Sequence, residues 1–194
     1  MFQSIDLIED CISTPIQSVA SNVKYPCTGF CYMAIENKSL LINYFKRSLY
    51  STYDNRNYHD LIHELITKAG RRKGNNNKIN HEGEFINQAT ILEDFPDIYN
   101  NTDYKEYGIS TNDPLSVEIF ENNMFMDLIQ IPIDEYIIVN RSNETFLLLK
   151  IDSEKFLVVD SHQPRHGTLD IYNAIKYITR NGKTSYVQVG LFKI

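Results

Sequence analysis

The chain has no basic surplus. Its 19 lysines and arginines are outnumbered by 25 aspartates and glutamates, giving a formal net charge of −6, whereas nucleic-acid binders usually carry a clustered excess of Lys and Arg. Nucleic acid is therefore not an expected partner, and a partner with a basic face is mildly favoured. Cysteine is scarce too. The three cysteines, Cys11, Cys27 and Cys31, form an odd and sparse set, unlike the framework of a secreted disulfide scaffold, so a reducing intracellular compartment is expected. Apolar runs such as 146–149 and 156–159 fall far short of the roughly 20 residues that span a bilayer, and no membrane association is expected. Residues 1–6 carry neither a basic n-region nor an apolar stretch, so they do not read as a signal peptide.

Other absences narrow the function classes. No repeat period and no Pro/Gly/Ser-rich linker divides the 194 residues, a length suited to one domain spanning 1–194. There is no phosphate-binding glycine loop and no dinucleotide fingerprint. His59 and His63 stand four apart, on one face of an expected helix, but no third ligand stands out, so neither a metal nor a cofactor is expected. The basic run 71–78 (RRKGNNNK) reads as a solvated surface insertion. The wealth of Asn, Ile and Lys fits an AT-rich genome, such as some large viruses or intracellular bacteria have, which would place the protein in a host cytosol.

The periodicity predicts helices first and strands later. Cys31, Ala34, Ile35, Leu41, Ile42 and Phe45 share roughly one helical face over 31–45, with Thr28 as N-cap. A second helix is expected over 58–69 with Gly70 as its stop, and a third near 84–92; 94–114 reads as irregular. Runs 136–139, 145–151 and 156–161 then read as strands separated by turn formers at 140–143 and 152–155. Residues 170–180 return to helix, and 186–194 give a last strand. The expected class is α+β, N-terminal helices packed on an antiparallel sheet.

Within this frame the sequence offers the parts of a thiol-dependent site. A cysteine nucleophile needs thiolate character, a base within reach and donors for the oxyanion. If Thr28 caps the first helix, Cys31 lies in its first turn, where the helix dipole favours the anion. Cys27 would precede the cap, and Cys31 is preferred on that ground. Gly29 would let the backbone approach a substrate closely. Asp160 and His162 are two apart at the end of an apolar strand, so alternation puts both on one face, a carboxylate beside an imidazole. A strand ending in polar turn residues is the alternative reading of that pair. His166 is the competing base, expected in a surface turn. Gln17 is the candidate side-chain oxyanion donor, beside the Cys31 amide; taken alone, it reads better as a solvated glutamine.

With Gln17, Cys31 and Asp160-Ser161-His162 in this chain order, the sequence resembles the deubiquitinase domain of the herpesvirus large tegument proteins. In that family a glutamine precedes a cysteine at a helix start, and an Asp-x-His ends a strand well over a hundred residues later. The resemblance covers about residues 15–45 and 135–170, and nothing in 50–130 matches. It implies a papain-like cysteine peptidase fold, with Cys31, His162 and Asp160 as the triad and Gln17 as oxyanion donor. The implied partner is ubiquitin or polyubiquitin, cleaved after its C-terminal glycine. A papain-like peptidase or acyltransferase acting on another protein or modifier, and a non-catalytic ubiquitin-binding module, are the competing readings.

Overall fold

The structure, a computed structural model, describes residues 7–20, 27–50, 52–69, 103–110, 112–141, 144–179 and 186–193. The helix expected near 84–92, the stop at Gly70 and the basic run 71–78 lie outside them. Among the described residues, the strands are β1 (Glu9–Ser13), β2 (Asp103–Ser110), β3 (Tyr136–Arg141), β4 (Glu144–Lys150), β5 (Lys155–Val159), β6 (Arg165–Asp170) and β7 (Tyr186–Lys193). They form one seven-stranded sheet in the order β1-β6-β5-β4-β3-β7-β2, with every neighbouring pair antiparallel. The run from β3 to β6 is a meander because its connections are short. Arg141 already pairs with Glu144, and between β4 and β5 the Glu154 N–H donates to Asp152 Oδ1 at 2.9 Å, closing a tight polar turn.

Strand alternation divides the core into two layers. Tyr136, Ile138, Leu147, Leu149, Leu157 and Val159 face one side and pack with the N-terminal helices. Ile137, Val139, Phe146, Leu148, Phe156 and Val158 face the other. Burial on both faces is why β4 and β5 read as continuous apolar runs instead of an alternating pattern.

The first layer holds α1 (Gln17–Ala20), α2 (Cys27–Glu36), α3 (Lys38–Ser48) and α4 (Thr52–Ala69). The single helix expected over 31–45 is two. Asn37, at φ −111° and ψ 17°, breaks it, and its side-chain amide folds back onto Met33 O at 2.8 Å, a carbonyl that also accepts the Asn37 N–H at 3.2 Å. The helix also starts earlier than expected. Cys27 is its first residue, so Thr28 lies inside the first turn and is not the N-cap. Gly29, expected at the substrate, instead faces α4: a Cβ there would lie 2.5 Å from the carbonyl oxygen of Ala69.

The second layer holds α5 (Pro114–Ile129) and α6 (Ile171–Thr179). Helix α5 has no counterpart in the sequence reading, although its signals are present. Asp113 caps it by accepting from Leu115 N–H at 3.1 Å, Pro114 follows at the first helical position, and Phe120, Met124 and Leu128 bury at four-residue spacing. Strand β2 occupies part of the stretch expected to be irregular. No described helix is long and apolar enough to cross a membrane.

Candidate active site

The site is built on the segment that leaves β5. That strand ends at Val159, and Asp160-Ser161-His162 forms a turn, where the sequence predicts continued strand. The carboxylate of Asp160 closes the turn itself. Its Oδ1 accepts the His162 backbone N–H at 3.0 Å and the His162 Nδ1–H at 2.7 Å, the local side-chain-to-backbone bonding that aspartate favours in turns. Asp160 and His162 thus meet as expected, by turn geometry and not by alternation along a strand.

Asp160 is fully buried. Burial alone would push its carboxyl upward, but the hydrogen bonds and charge of His162, with a further bond from Tyr177, hold it below the usual carboxylate range. For His162 burial pulls the other way, favouring the neutral ring. Its bonds to Asp160 and to the side chain of Cys27 more than offset this, and its pKa is raised.

That contact sets the two cysteines apart. The imidazole engages the side chain of Cys27, the first residue of α2. With Nδ1 committed to Asp160, Nε2 is the nitrogen left for sulfur. Cys31, the residue preferred from sequence, lies one helical turn deeper on the same face. Both are buried, Cys27 at 2 % and Cys31 at 1 % exposure, but only Cys31 belongs to the core cluster of Phe30, Leu147 and Val159. Burial pushes its thiol well up, and the neighbouring Cys27 and Asp160 push it further, the reverse of what a nucleophile needs at neutral pH. With α2 beginning at Cys27, it is Cys27 and not Cys31 that stands at the helix start. All three cysteines are free, with Cys11 exposed on the edge strand.

Gln17 reaches the same turn from the N-terminal side. The β1–β6 pairing, with Ile12 opposite His166 and Ser13 opposite Arg165, continues beyond the strands. Thr14 N–H donates to Pro164 O at 2.9 Å, and Gln17 N–H to Ser161 O at 2.7 Å. The Ser161 hydroxyl then donates to Gln17 Oε1 at 2.7 Å. The glutamine that the sequence left between donor and solvated surface residue is therefore zipped onto the Asp160–His162 turn.

Three residues that sequence reasoning missed or misplaced hold this turn from behind. Tyr177 on α6 donates its hydroxyl to Asp160 Oδ2 at 2.6 Å. His166, expected on the surface, is fully buried in β6. Its Nε2–H donates to the Asp160 carbonyl at 2.8 Å, and its Nδ1 accepts from the Tyr58 hydroxyl at 3.0 Å. With both nitrogens bonded and burial pulling its pKa down to about 4, it is a neutral structural ring and no competing base. Its neighbour Gly167 is no turn glycine. A Cβ there would lie 2.3 Å from the Glu9 carbonyl oxygen, so it is the bare position that lets β1 pass close to β6. The discounted pair His59 and His63 stands on α4; among the described residues no group of three His, Cys, Asp or Glu could hold a metal.

No family model and no curated protein sequence matches the chain. Among solved structures, it is similar to the ubiquitin-specific protease encoded by the tegument protein M48 of murine cytomegalovirus, crystallised with a ubiquitin-based suicide substrate. The TM-score is 0.50 and the identity 11 %, over 94 % of this chain and 84 % of that one. At such identity the likeness is one of fold: an α+β arrangement of helices and antiparallel sheet shared with a viral ubiquitin-specific protease.

Proposed function

We propose that the chain is a papain-like deubiquitinase, one domain over 1–194, that hydrolyses the peptide or isopeptide bond after the C-terminal glycine of ubiquitin. The observation that carries the reading is the His162 ring, bonded through Nδ1 to a buried carboxylate and engaged on its other side with a cysteine at the start of a helix. Fold similarity to a ubiquitin-specific protease supports the substrate class.

The geometry supports the following roles. Asp160 orients the imidazole and stabilises it when charged. His162 takes the proton of Cys27, and the sulfur attacks the glycine carbonyl carbon to form a tetrahedral oxyanion. The first amides of a helix have no intrahelical acceptor, so the Cys27 N–H is one donor to that oxygen and the Gln17 side-chain amide the other. His162 then gives its proton to the leaving amine, leaving a thioester between Cys27 and glycine. Water, deprotonated by His162, hydrolyses the thioester and restores the thiol.

The test is a ubiquitin probe with an electrophilic C-terminus, applied to wild type, Cys27→Ala and Cys31→Ala. Wild type and Cys31→Ala are expected to be labelled and Cys27→Ala to be inert. Labelling by probes of other modifiers but not ubiquitin would keep the chemistry and replace the substrate. A Cys27 thiol that alkylates no faster than free cysteine, with no probe labelled, would favour a binding module.

A further inference from the structure

We propose that Ser161 is a positioning residue that sets which end of the Gln17 amide faces the reacting carbonyl; this rests on the reading of Gln17 as an oxyanion donor. A glutamine amide is two-sided, with an acceptor oxygen at one end and a donor NH2 at the other. Only the NH2 end stabilises a developing oxyanion, and a flipped amide sets oxygen against oxygen. Something must therefore fix the flip.

Among the described residues, packing does not supply it. Helix α1 is four residues long and buries none of them. The side-chain contact that orients Gln17 is the Ser161 hydroxyl, which donates to Oε1 at 2.7 Å and so turns the NH2 end away from Ser161. Ser161 is itself fully buried, and its carbonyl accepts the Gln17 N–H at 2.7 Å. Backbone and side chain of one residue thus grip backbone and side chain of the other. Because Ser161 stands between Asp160 and His162, oxyanion donor and base hang from one turn, and their spacing is kept when the turn shifts.

The experiment has an activity arm and an arm that needs no activity. With ubiquitin carrying a fluorogenic C-terminal amide, Gln17→Ala is expected to lower kcat by about 10²-fold, and Ser161→Ala by about five- to tenfold, with KM within about twofold in both. The double variant should match Gln17→Ala alone, since without the amide there is nothing left to orient. Losses that multiply overturn the proposal, as does a Ser161→Ala protein with lowered Tm and unchanged kcat. In the second arm, nitrogen relaxation of the Gln17 side-chain amide is measured in the substrate-free protein. Order in wild type and mobility in Ser161→Ala are expected, with Ser161→Cys, a weaker donor of similar size, in between. An amide whose order does not respond to Ser161 overturns the proposal whether or not the chain cleaves ubiquitin. Failure of the deubiquitinase reading alone would appear as an inactive wild type with an ordered, Ser161-dependent amide.

Discussion

Tyr177 donates its hydroxyl to Asp160 Oδ2 at 2.6 Å, and it does so from the helix layer across the sheet from α2. Tyr177 belongs to the core cluster that contains Phe120 and Leu148, whereas Cys31 belongs to the one that contains Leu147 and Val159. Asp160 sits where the two layers meet, at the end of β5, and is gripped from both: by Tyr177 on one side, and on the other by Tyr58 acting through His166.

Tyr177→Phe keeps the edge-to-face packing on Phe146, whose ring centroid is 5.1 Å away, and removes only the hydroxyl. A buried carboxylate oxygen then loses its donor. We expect kcat to fall about tenfold, equivalent to about 1.4 kcal/mol, with KM unchanged because Asp160 does not touch substrate. The Tyr177 bond is among those that hold the Asp160 carboxyl low, so the acid limb of the rate profile should move to higher pH. A variant matching wild type at every pH would show that the phenol only fills space.

Cys31→Ala separates the two cysteines by stability instead of labelling. Cys31 is a small core residue, so its truncation should cost about 1 kcal/mol of unfolding free energy. Turnover at a temperature well below Tm should stay within about threefold. Chemical denaturation and steady-state kinetics on one preparation check both; an inactive but fully stable variant would return the nucleophile to Cys31.

His166 predicts a pH window for stability. Folded, it titrates at about 4, against roughly 6.5 for an ordinary histidine. Between those values the unfolded chain binds a proton that the folded chain refuses, so stability falls as pH drops from 6.5 to 4 and is flat in this respect above 6.5. The span is worth about 3 kcal/mol. His162 acts in the opposite sense: its pKa is raised, so its contribution is intact below 6.5 and is lost only at higher pH. His166→Gln can keep a donor toward Asp160 O and an acceptor for Tyr58. It should flatten the dependence of the urea midpoint on pH between 4 and 6.5, and a slope equal to that of wild type would count against the assignment.

Gly29→Ala should loosen the seat of α2. The added methyl would meet the Ala69 carbonyl oxygen at 2.5 Å and its carbon at 3.1 Å, backbone atoms that cannot rotate aside. Overpacking of this kind costs about 1–3 kcal/mol. Because Gly29 is two residues from Cys27, probe labelling should slow as well; a thermal melt and a labelling time course on the same variant measure the two effects.

Local sequence determined a good deal. The first three strands of the meander (β3 to β5), the turn at 152–154, α6 and the nearness of Asp160 to His162 are all properties of short segments, fixed by residue type and spacing, whereas β6 was read as a turn. Alternation even sorts β3, β4 and β5 between two layers, although it cannot say that both faces are covered. The helix break at Asn37 and the cap at Asp113 had signals too, but weak ones beside the apolar periodicity that surrounds them.

Which cysteine meets the histidine was decided only by tertiary structure. Cys27 and Cys31 are four apart on one helix, and sequence places both on the same face. Depth along that face depends on where α2 starts and where the close approach of Gly29 to Ala69 seats it against the sheet. The same holds for His166, which β1 covers by pairing with β6 and passing close to Gly167. Contacts between segments more than a hundred residues apart leave no local pattern, because what fixes them is the packing of whole elements.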